Sequence, residues 1–411
     1  IETAPADVTD TPDRYSFALL SCNQPFKSDG RIDEEADQML TAARRCFKTH
    51  NTKFVLMIGD QMYADMPANL SLFNPDYFRR IAPPGRDAIQ ACTVDEIRRL
   101  YQRRYRHFWN LPGWFDIHRE LPSYMMWDDH DIVDNWGSAP SHQDAGWQRV
   151  FEGARLAYMD YQASLVHHLM PDPQHAFDYG FRYGTAAVYM LDIRSNRRTG
   201  KNGRIYSSEQ LRRVRRFLAH HADADALFLV LTVPILQLPR HIASLAAKIS
   251  PEQEDFSDRW SSRAHVYDRD RLMKILHRHA RLHPRQRIAL LSGDIHIGCA
   301  HHIAFPQVNI YQLLSSGVTH GSGPLVGWGS KMLILSNRKF ETLDHSLHAK
   351  IKRLHGEGAA KNPYTGLNVG IVEMSKSANN GAPGLRFLLY GQHSGRPVCV
   401  YRSAMLDHGL V

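Results

Sequence analysis

The chain has 411 residues, 43% of them hydrophobic, and a formal net charge of +8. That length accommodates one large or two ordinary domains around a substantial core. The basic balance suits anionic substrates and is equally compatible with plain solubility. Membrane spanning is excluded for the longest apolar candidate, residues 227–238, which is too short for a bilayer and contains Pro234. Five dispersed cysteines with no CxxC pair argue against a disulfide framework and a zinc ribbon. No basic-then-apolar leader opens the chain at Ile1. A start without Met is what a trimmed precursor would show, so an exported and a cytoplasmic location both stay open.

In chain order, residues 1–14 are polar, contain Pro5 and Pro12, and read as an arm. An apolar run over 15–22 predicts a strand. Ala36, Met39, Leu40, Ala43 and Phe47 recur at helical spacing and predict a helix over about 34–48, with acids at its start and bases at its end. A strand over 53–59 completes a β-α-β unit, which implies a parallel pair. The Pro-rich excursion at 66–94 is long enough to read as a functional loop. A helix over 94–109 turns Ile97, Leu100, Tyr101, Tyr105 and Phe108 inward and leaves Arg98, Arg99, Arg103, Arg104 and Arg106 on a solvated face. Further elements are a strand at 123–127, a polar loop at 136–146, a helix at 147–169 and a hairpin of 177–183 with 186–192. The capping box Ser207/Gln210 starts a helix over 208–220, with Arg212, Arg213, Arg215 and Arg216 facing water. A strand at 226–232, a polar loop at 250–265, a helix at 268–282 and a strand at 287–292 follow. Strands near 308–314, 369–374, 385–390 and 397–401 close the chain. Between them, residues 316–366 form a Gly-, His- and Lys-rich insertion, read as a lid or a surface subdomain. No internal repeat is visible, so 15–411 reads as one large domain with insertions near 66–94 and 316–366.

The chemistry lies where the apolar runs stop. Five of them end in Cys22, in Gly59-Asp60, in Asp128-Asp129-His130-Asp131, in Asp192 and in Gly293-Asp294-Ile295-His296. An acid after a single strand is often only a helix cap. Five such ends suggest one shared site, and crowded carboxylates call for cations. Asp60 can bridge two cations about 4 Å apart that clamp an in-line phosphoryl displacement. Cys22 offers a soft thiolate to a transition metal. Tyr63 either packs or offers a phenolate suited to a trivalent metal. Arg194, just past Asp192, suits a phosphate oxygen or a structural Arg–Asp pair. Asn135 and Trp136 are candidates for the pocket lining. His167, His168, His301 and His302 read as surface or capping residues.

Taken in order, SCNQ, GDQMYAD, MMWDDHDIVDNWG, MLDIRSNR and LLSGDIHIG resemble the alkaline phosphatase D (PhoD-like) family of metallophosphoesterases, from about Tyr15 to His296 and more loosely beyond. The resemblance implies an α/β (α+β) four-layer sandwich, two packed mixed β-sheets flanked by helices, with metals at the strand ends. It also implies metal-dependent hydrolysis of phosphate mono- or diesters, by in-line attack of a metal-bound hydroxide. Iron(III) with calcium is the implied metal pair; zinc, manganese and magnesium are the alternatives. On the matching positions, Cys22, Asp60, Tyr63, Asp129, Asp294 and His296 become metal ligands. His130 becomes the residue that protonates the leaving oxygen, with Arg194 neutralising charge. Asp128 orients His130 or is itself a ligand. Asp131, Asn135 and Asp192 are possible ligands or supports of the ligands. Thr232 stands where many metallophosphoesterases have another His, which favours oxygen-rich coordination. Two other readings stay open: a phosphodiesterase acting on lipid or nucleic acid, although no nucleic-acid motif is apparent, and a non-catalytic, metal-stabilised binding module. Oligomeric state has no signal in the sequence.

Overall fold

A computed structural model describes residues 12–200, 202–236, 258–357, 361–375 and 384–406. The predicted arm therefore lies almost wholly outside the described residues, as does the first part of the 250–265 loop. Among the described residues, fourteen strands form two sheets. The first has six strands, in the order β14 (Arg396–Arg402), β13 (Gly384–His393), β12 (Val369–Ser375), β1 (Arg14–Leu20), β2 (Thr52–Ile58), β3 (Ser123–Met126). The second has eight, in the order β10 (Lys339–Glu341), β11 (His348–Arg353), β8 (Cys299–Ala304), β9 (Asn309–Leu314), β7 (Arg287–Ser292), β6 (Ala226–Val230), β5 (Ala186–Met190), β4 (Tyr179–Tyr183). β1, β2 and β3 are parallel, as are β5, β6, β7 and β9.

The central strands are apolar on both faces because each face meets a different layer. Along β6, Ala226, Phe228 and Val230 join the core between the sheets, while Leu227 and Leu229 join the core beneath the outer helices. Phe17 of β1 stacks on Phe54 of β2 at 5.0 Å and meets Phe228 of β6 edge-on at the same centroid distance, tying the two sheets face to face. α1 (Glu34–Thr49) covers the first sheet and is capped by the Asp33 side chain. α6 (Ser208–His220), started by the predicted Ser207/Gln210 capping box, and α7 (Val266–Leu282) cover the second. The result is the expected two-sheet α/β sandwich.

Several local readings are corrected. The excursion at 66–94 contains a short helix, α2 (Pro75–Ile81), capped by Asn74. α3 (Val94–Trp109) has the predicted bounds, but Arg104 is buried, not solvated, and donates to the Tyr63 and Met66 carbonyls. Arg213 is likewise buried and forks onto Asp178, with both bonds at 2.7 Å. α4 (Pro112–Glu120) and β8 were not anticipated. The helix expected to reach 169 is α5 (Ala145–Tyr161). It stops where Gln162 turns inward to donate to Asp131 at 3.0 Å, and two single 3-10 turns follow. The 316–366 insertion holds α8 (Pro324–Ser336) and the strands β10 and β11, which extend the second sheet at its edge.

His301, expected at the surface, is buried on β8, and burial pushes its pKa down to about 4, with Arg353 opposite adding to the effect. The fold thus holds the neutral imidazole. Stability is complete above the unfolded value of about 6.5 and falls as the unfolded chain binds the proton first, between about 6.5 and 4. His301→Gln is expected to flatten the stability–pH slope in that window by up to about 1.4 kcal/mol per pH unit, read from urea midpoints. An unchanged slope would show that His301 titrates normally in the fold.

Candidate metal centre and active site

The parallel strands deliver their carboxyl ends to one edge of the sandwich, where β1, β2, β3 and β7 each run into a polar residue. The chain turns sharply there. Five of the eight non-glycine residues with positive φ among those described are site candidates: Cys22, Asp60, Asn135, Asp294 and His296. Left-handed backbone in side-chain-bearing residues costs energy and persists only where the surroundings enforce it. Gly59 shows the enforcement: its φ is +96°, and an added Cβ would sit 2.7 Å from the Asp128 Cβ and 3.2 Å from the Thr232 methyl. The β2 and β3 ends can approach only because position 59 has no side chain.

These turns bring Cys22, Asp60, Asp128, Asp129 and Asp294 close together, while His296 and Tyr63 flank that group through ring contacts with His320. The Cys22 thiol lies 3.4 Å from Asp60 Oδ2, 3.2 Å from Ser316 Oγ and 3.7 Å from the Asp294 carbonyl. Donor atoms of Asp60, Asp128 and Asp129 lie within 4.8 Å of one another, as do those of Asp129, Asp258 and Asp294, and those of Asp129, His130 and Asp134. Asp129 is common to all three groups and is the pivot of the site. The Tyr63 ring stacks on His130 at 4.2 Å and approaches His320 at 5.6 Å. The His320 ring meets His296 at 4.6 Å, and its carbonyl takes the His296 Nδ1 proton at 2.7 Å. That bond fixes the tautomer and leaves the His296 Nε2 lone pair available as a ligand.

The electrostatics are those of a cluster short of positive charge. Burial pushes the Asp60 carboxyl well above the usual range, and Asp129 beside it adds repulsion. Burial likewise raises the Cys22 thiol, with Asp60 adding to it, and the Tyr63 phenol, with Cys22 and Asp60 adding to it. Asp128 is pushed up to about 7 by burial, against the pull of Arg194; Asp294 rises to about 6, against the pull of Arg259. Asp60 Oδ1, the Tyr63 hydroxyl and Asp128 Oδ2 are buried without a hydrogen-bond partner, and so is the Thr232 hydroxyl; Asp129 Oδ1 has no hydrogen bond and only the ion pair with Arg194, at 3.2 Å. Each such group costs roughly 1–3 kcal/mol when left unsatisfied. Buried carboxylates gathered in this way, with the Cys22 thiol 3.4 Å from Asp60, fit multivalent cations. Carboxylates of this kind are oxygen ligands for hard cations.

Other predicted residues sit behind the cluster. Asp131 accepts from the backbone N–H groups of Asp60 and Asp128, both at 3.0 Å, and from Gln162, so it holds two strand ends. Asp192 accepts from Trp127 Nε1 at 3.0 Å and from the backbones of Phe177, Arg194 and Ser195, also a scaffold role. Asn135 donates its backbone N–H to Asp129 Oδ2 at 2.7 Å. Trp136 is buried and stacks on Phe151 at 5.1 Å. Arg194 is fully buried among acids. It bonds Asp128, forks onto Asp258 at 2.7 and 3.1 Å, and lies 3.2 Å from Asp129. Burial alone would lower its pKa, but the three carboxylates raise it well above the ordinary value. This geometry is the structural Arg–Asp pair, not an open phosphate clamp.

Several residues escaped the sequence reading. Asp65 binds His130 Nδ1 at 2.8 Å, and although burial disfavours the imidazolium, Asp65 together with Asp129 and Asp60 holds the His130 pKa well above its usual value. Asp65 lies in the GDQMYAD run, five residues after Asp60, and that spacing was its available signal. Asp258 and Arg259, which pairs with Asp294, carry no motif and reach the site from a loop. Ser316 and His320 come from the stretch after β9.

No curated protein matches the chain significantly. Among solved structures, one titled "Structure of PhoD" aligns at a TM-score of 0.59 and 14% identity, covering 97% of this chain and 73% of that one. Another, "GAP50 the anchor in the inner membrane complex of Plasmodium", aligns at a TM-score of 0.41 and 10% identity, over 97% and 90% of the two chains. A family model described as PhoD-like phosphatase matches residues 17–327, a span that includes every strand end of the cluster. The chain therefore belongs to the PhoD-like phosphatase family.

Proposed function

We propose that the chain hydrolyses phosphate esters in a metal-dependent reaction at the Asp60–Asp129 cluster. The observation that carries this reading is the gathering of the Asp60, Asp128 and Asp129 carboxylates within 4.8 Å of one another, with buried oxygens of Asp60, Asp128 and Tyr63 that have no hydrogen-bond partner. Cys22, Asp60, Tyr63, Asp129, Asp294 and His296 are the residues that would hold the metals, with Asp128 at their edge. Bound cations of this kind polarise a phosphoryl oxygen and make water a competent nucleophile at neutral pH.

The chain's own groups do the rest. His130 keeps a proton through its Asp65 partner, and Nε2, lying 3.7 Å from Asp134 at the outer side of the ring, delivers it to the departing oxygen. Stacking on Tyr63 fixes the plane of the imidazole. Arg194 balances the charge of Asp128, Asp129 and Asp258 from behind, so those acids stay placed when substrate phosphate arrives.

The test pairs chelation with leaving-group chemistry. Stripping metal is expected to abolish turnover of p-nitrophenyl phosphate and its bis ester, and reloading with iron and calcium to restore it. Asp65→Asn is expected to slow esters of poor leaving groups by ~10²-fold while sparing nitrophenyl esters, which leave without a proton. Equal losses on both ester types would remove His130 from the proton-donor role. Full turnover after exhaustive chelation would remove the metal.

A further inference from the structure

Outside the catalytic edge, the most unusual surface belongs to α8 and the two strands that follow it. α8 has Lys331 as its single charged residue. Trp328 is 64% exposed and Met332 48% exposed. Residues 328, 332 and 335 stand one helical turn apart and form one stripe. The last of them, Leu335, lines a groove of about 460 Å³ together with Ile334, Asn337, Arg338 and Lys339 of the β10 side and Lys350, Lys352 and Arg353 of β11. No carboxylate is among the described residues that line this groove. The two acids on the same segment are engaged elsewhere, Glu341 by His345 and His348, and Asp344 by Lys274.

We propose that this face docks on an anionic lipid surface. Exposed Trp and Met on an apolar helix gain by entering the headgroup boundary. Cations bordering that stripe gain from a negative surface potential, and each contributes roughly fivefold in partitioning. A polyanion such as nucleic acid would satisfy the cations but leave the Trp328–Met332 stripe in water. α8 begins four residues after His320, whose ring approaches Tyr63, so docking here would hold the catalytic edge near the membrane.

Sedimentation of the full chain with vesicles tests this. Binding is expected to phosphatidylserine-rich vesicles and not to pure phosphatidylcholine, and to weaken as salt is raised. Lys350→Glu with Lys352→Glu is expected to reduce partitioning at least ~20-fold, and Trp328→Ser with Met332→Ser to reduce it by a similar order. None of the four positions belongs to the ligand set, and among the described residues none shares a hydrogen bond, ion pair or ring contact with it, so turnover of soluble p-nitrophenyl phosphate, followed in parallel, is expected to be unchanged. Failure of that turnover in the wild type bears on the proposed hydrolysis alone. No binding to either vesicle, or equal binding to both, overturns the docking proposal. It is also overturned if the charge reversals abolish binding while the Trp328/Met332 variant binds normally, because the surface then reads polyanions without inserting.

Discussion

Asp60→Asn is expected to lower phosphate-ester turnover by at least roughly 10²–10³-fold, the scale on which removal of one centrally placed electrostatic group acts. Asp60 is 1% exposed, follows a glycine that only a missing side chain permits, and is held by the Asp131 carboxylate through its backbone N–H. Its Oδ1 has no partner, and its ionised form is opposed by burial and then by Asp129. Asn keeps the shape and removes the charge. The metal-free variant is therefore expected to melt no lower than the metal-free wild type, because the neutral side chain is the form that burial already favours. The loaded variant, by contrast, loses metal and turnover together. Turnover within about tenfold of wild type would show that the reacting centre lies elsewhere. Coupled loss of turnover and metal-free stability would show that Asp60 is structural.

Arg194→Met is expected to cost about 3–5 kcal/mol in the metal-free protein, read from urea denaturation, since removing one partner of a buried ion cluster strands the others. The stranded groups are Asp128 and Asp258, with Asp129 at the rim of the same guanidinium. Arg197, which reaches Asp258 at 2.9 Å, has its own pKa lowered to about 10 by burial and covers only one of the three acids. Arg194→Lys is expected to recover little, because a point ammonium cannot reproduce a fork that spans Asp128 on one side and two oxygens of Asp258 on another. A loss below about 1 kcal/mol would mean that the acids are protonated or solvated and that Arg194 is available to substrate after all.

The strand ends were legible because a doubly buried parallel strand writes itself as an unbroken apolar run, and its first polar residue marks the exit. Cys22, Asp60, Asp128 and Asp294 were marked as candidates in that way, whereas Asp129 was singled out only by the family resemblance. Arg104 was misread although its position was correct: residues 97, 100, 101, 104, 105 and 108 form one helical stripe, and residue type was allowed to outweigh spacing. Its guanidinium is buried because the turn after Asp60 leaves the Tyr63 and Met66 carbonyls needing donors. Arg213 repeats the lesson on α6, beside the buried Leu211 and Val214. Asp258 and Arg259 could not be read at all. Their partners are Arg194, 64 residues away, and Asp294, 35 residues away, and nothing local distinguishes them from any polar loop. For Arg194 the choice between a phosphate contact and a structural Arg–Asp pair stayed open, because sequence shows that a cation follows the strand and not how many acids surround it.

The claim that these residues form a mixed-ligand metal centre is tested most directly by elemental analysis and the visible spectrum of the purified protein beside Tyr63→Phe. The account predicts iron together with calcium in the wild type and a charge-transfer band that the Tyr63→Phe substitution removes or shifts while both metals remain detectable. No metal after reconstitution, or a band indifferent to Tyr63, would contradict it.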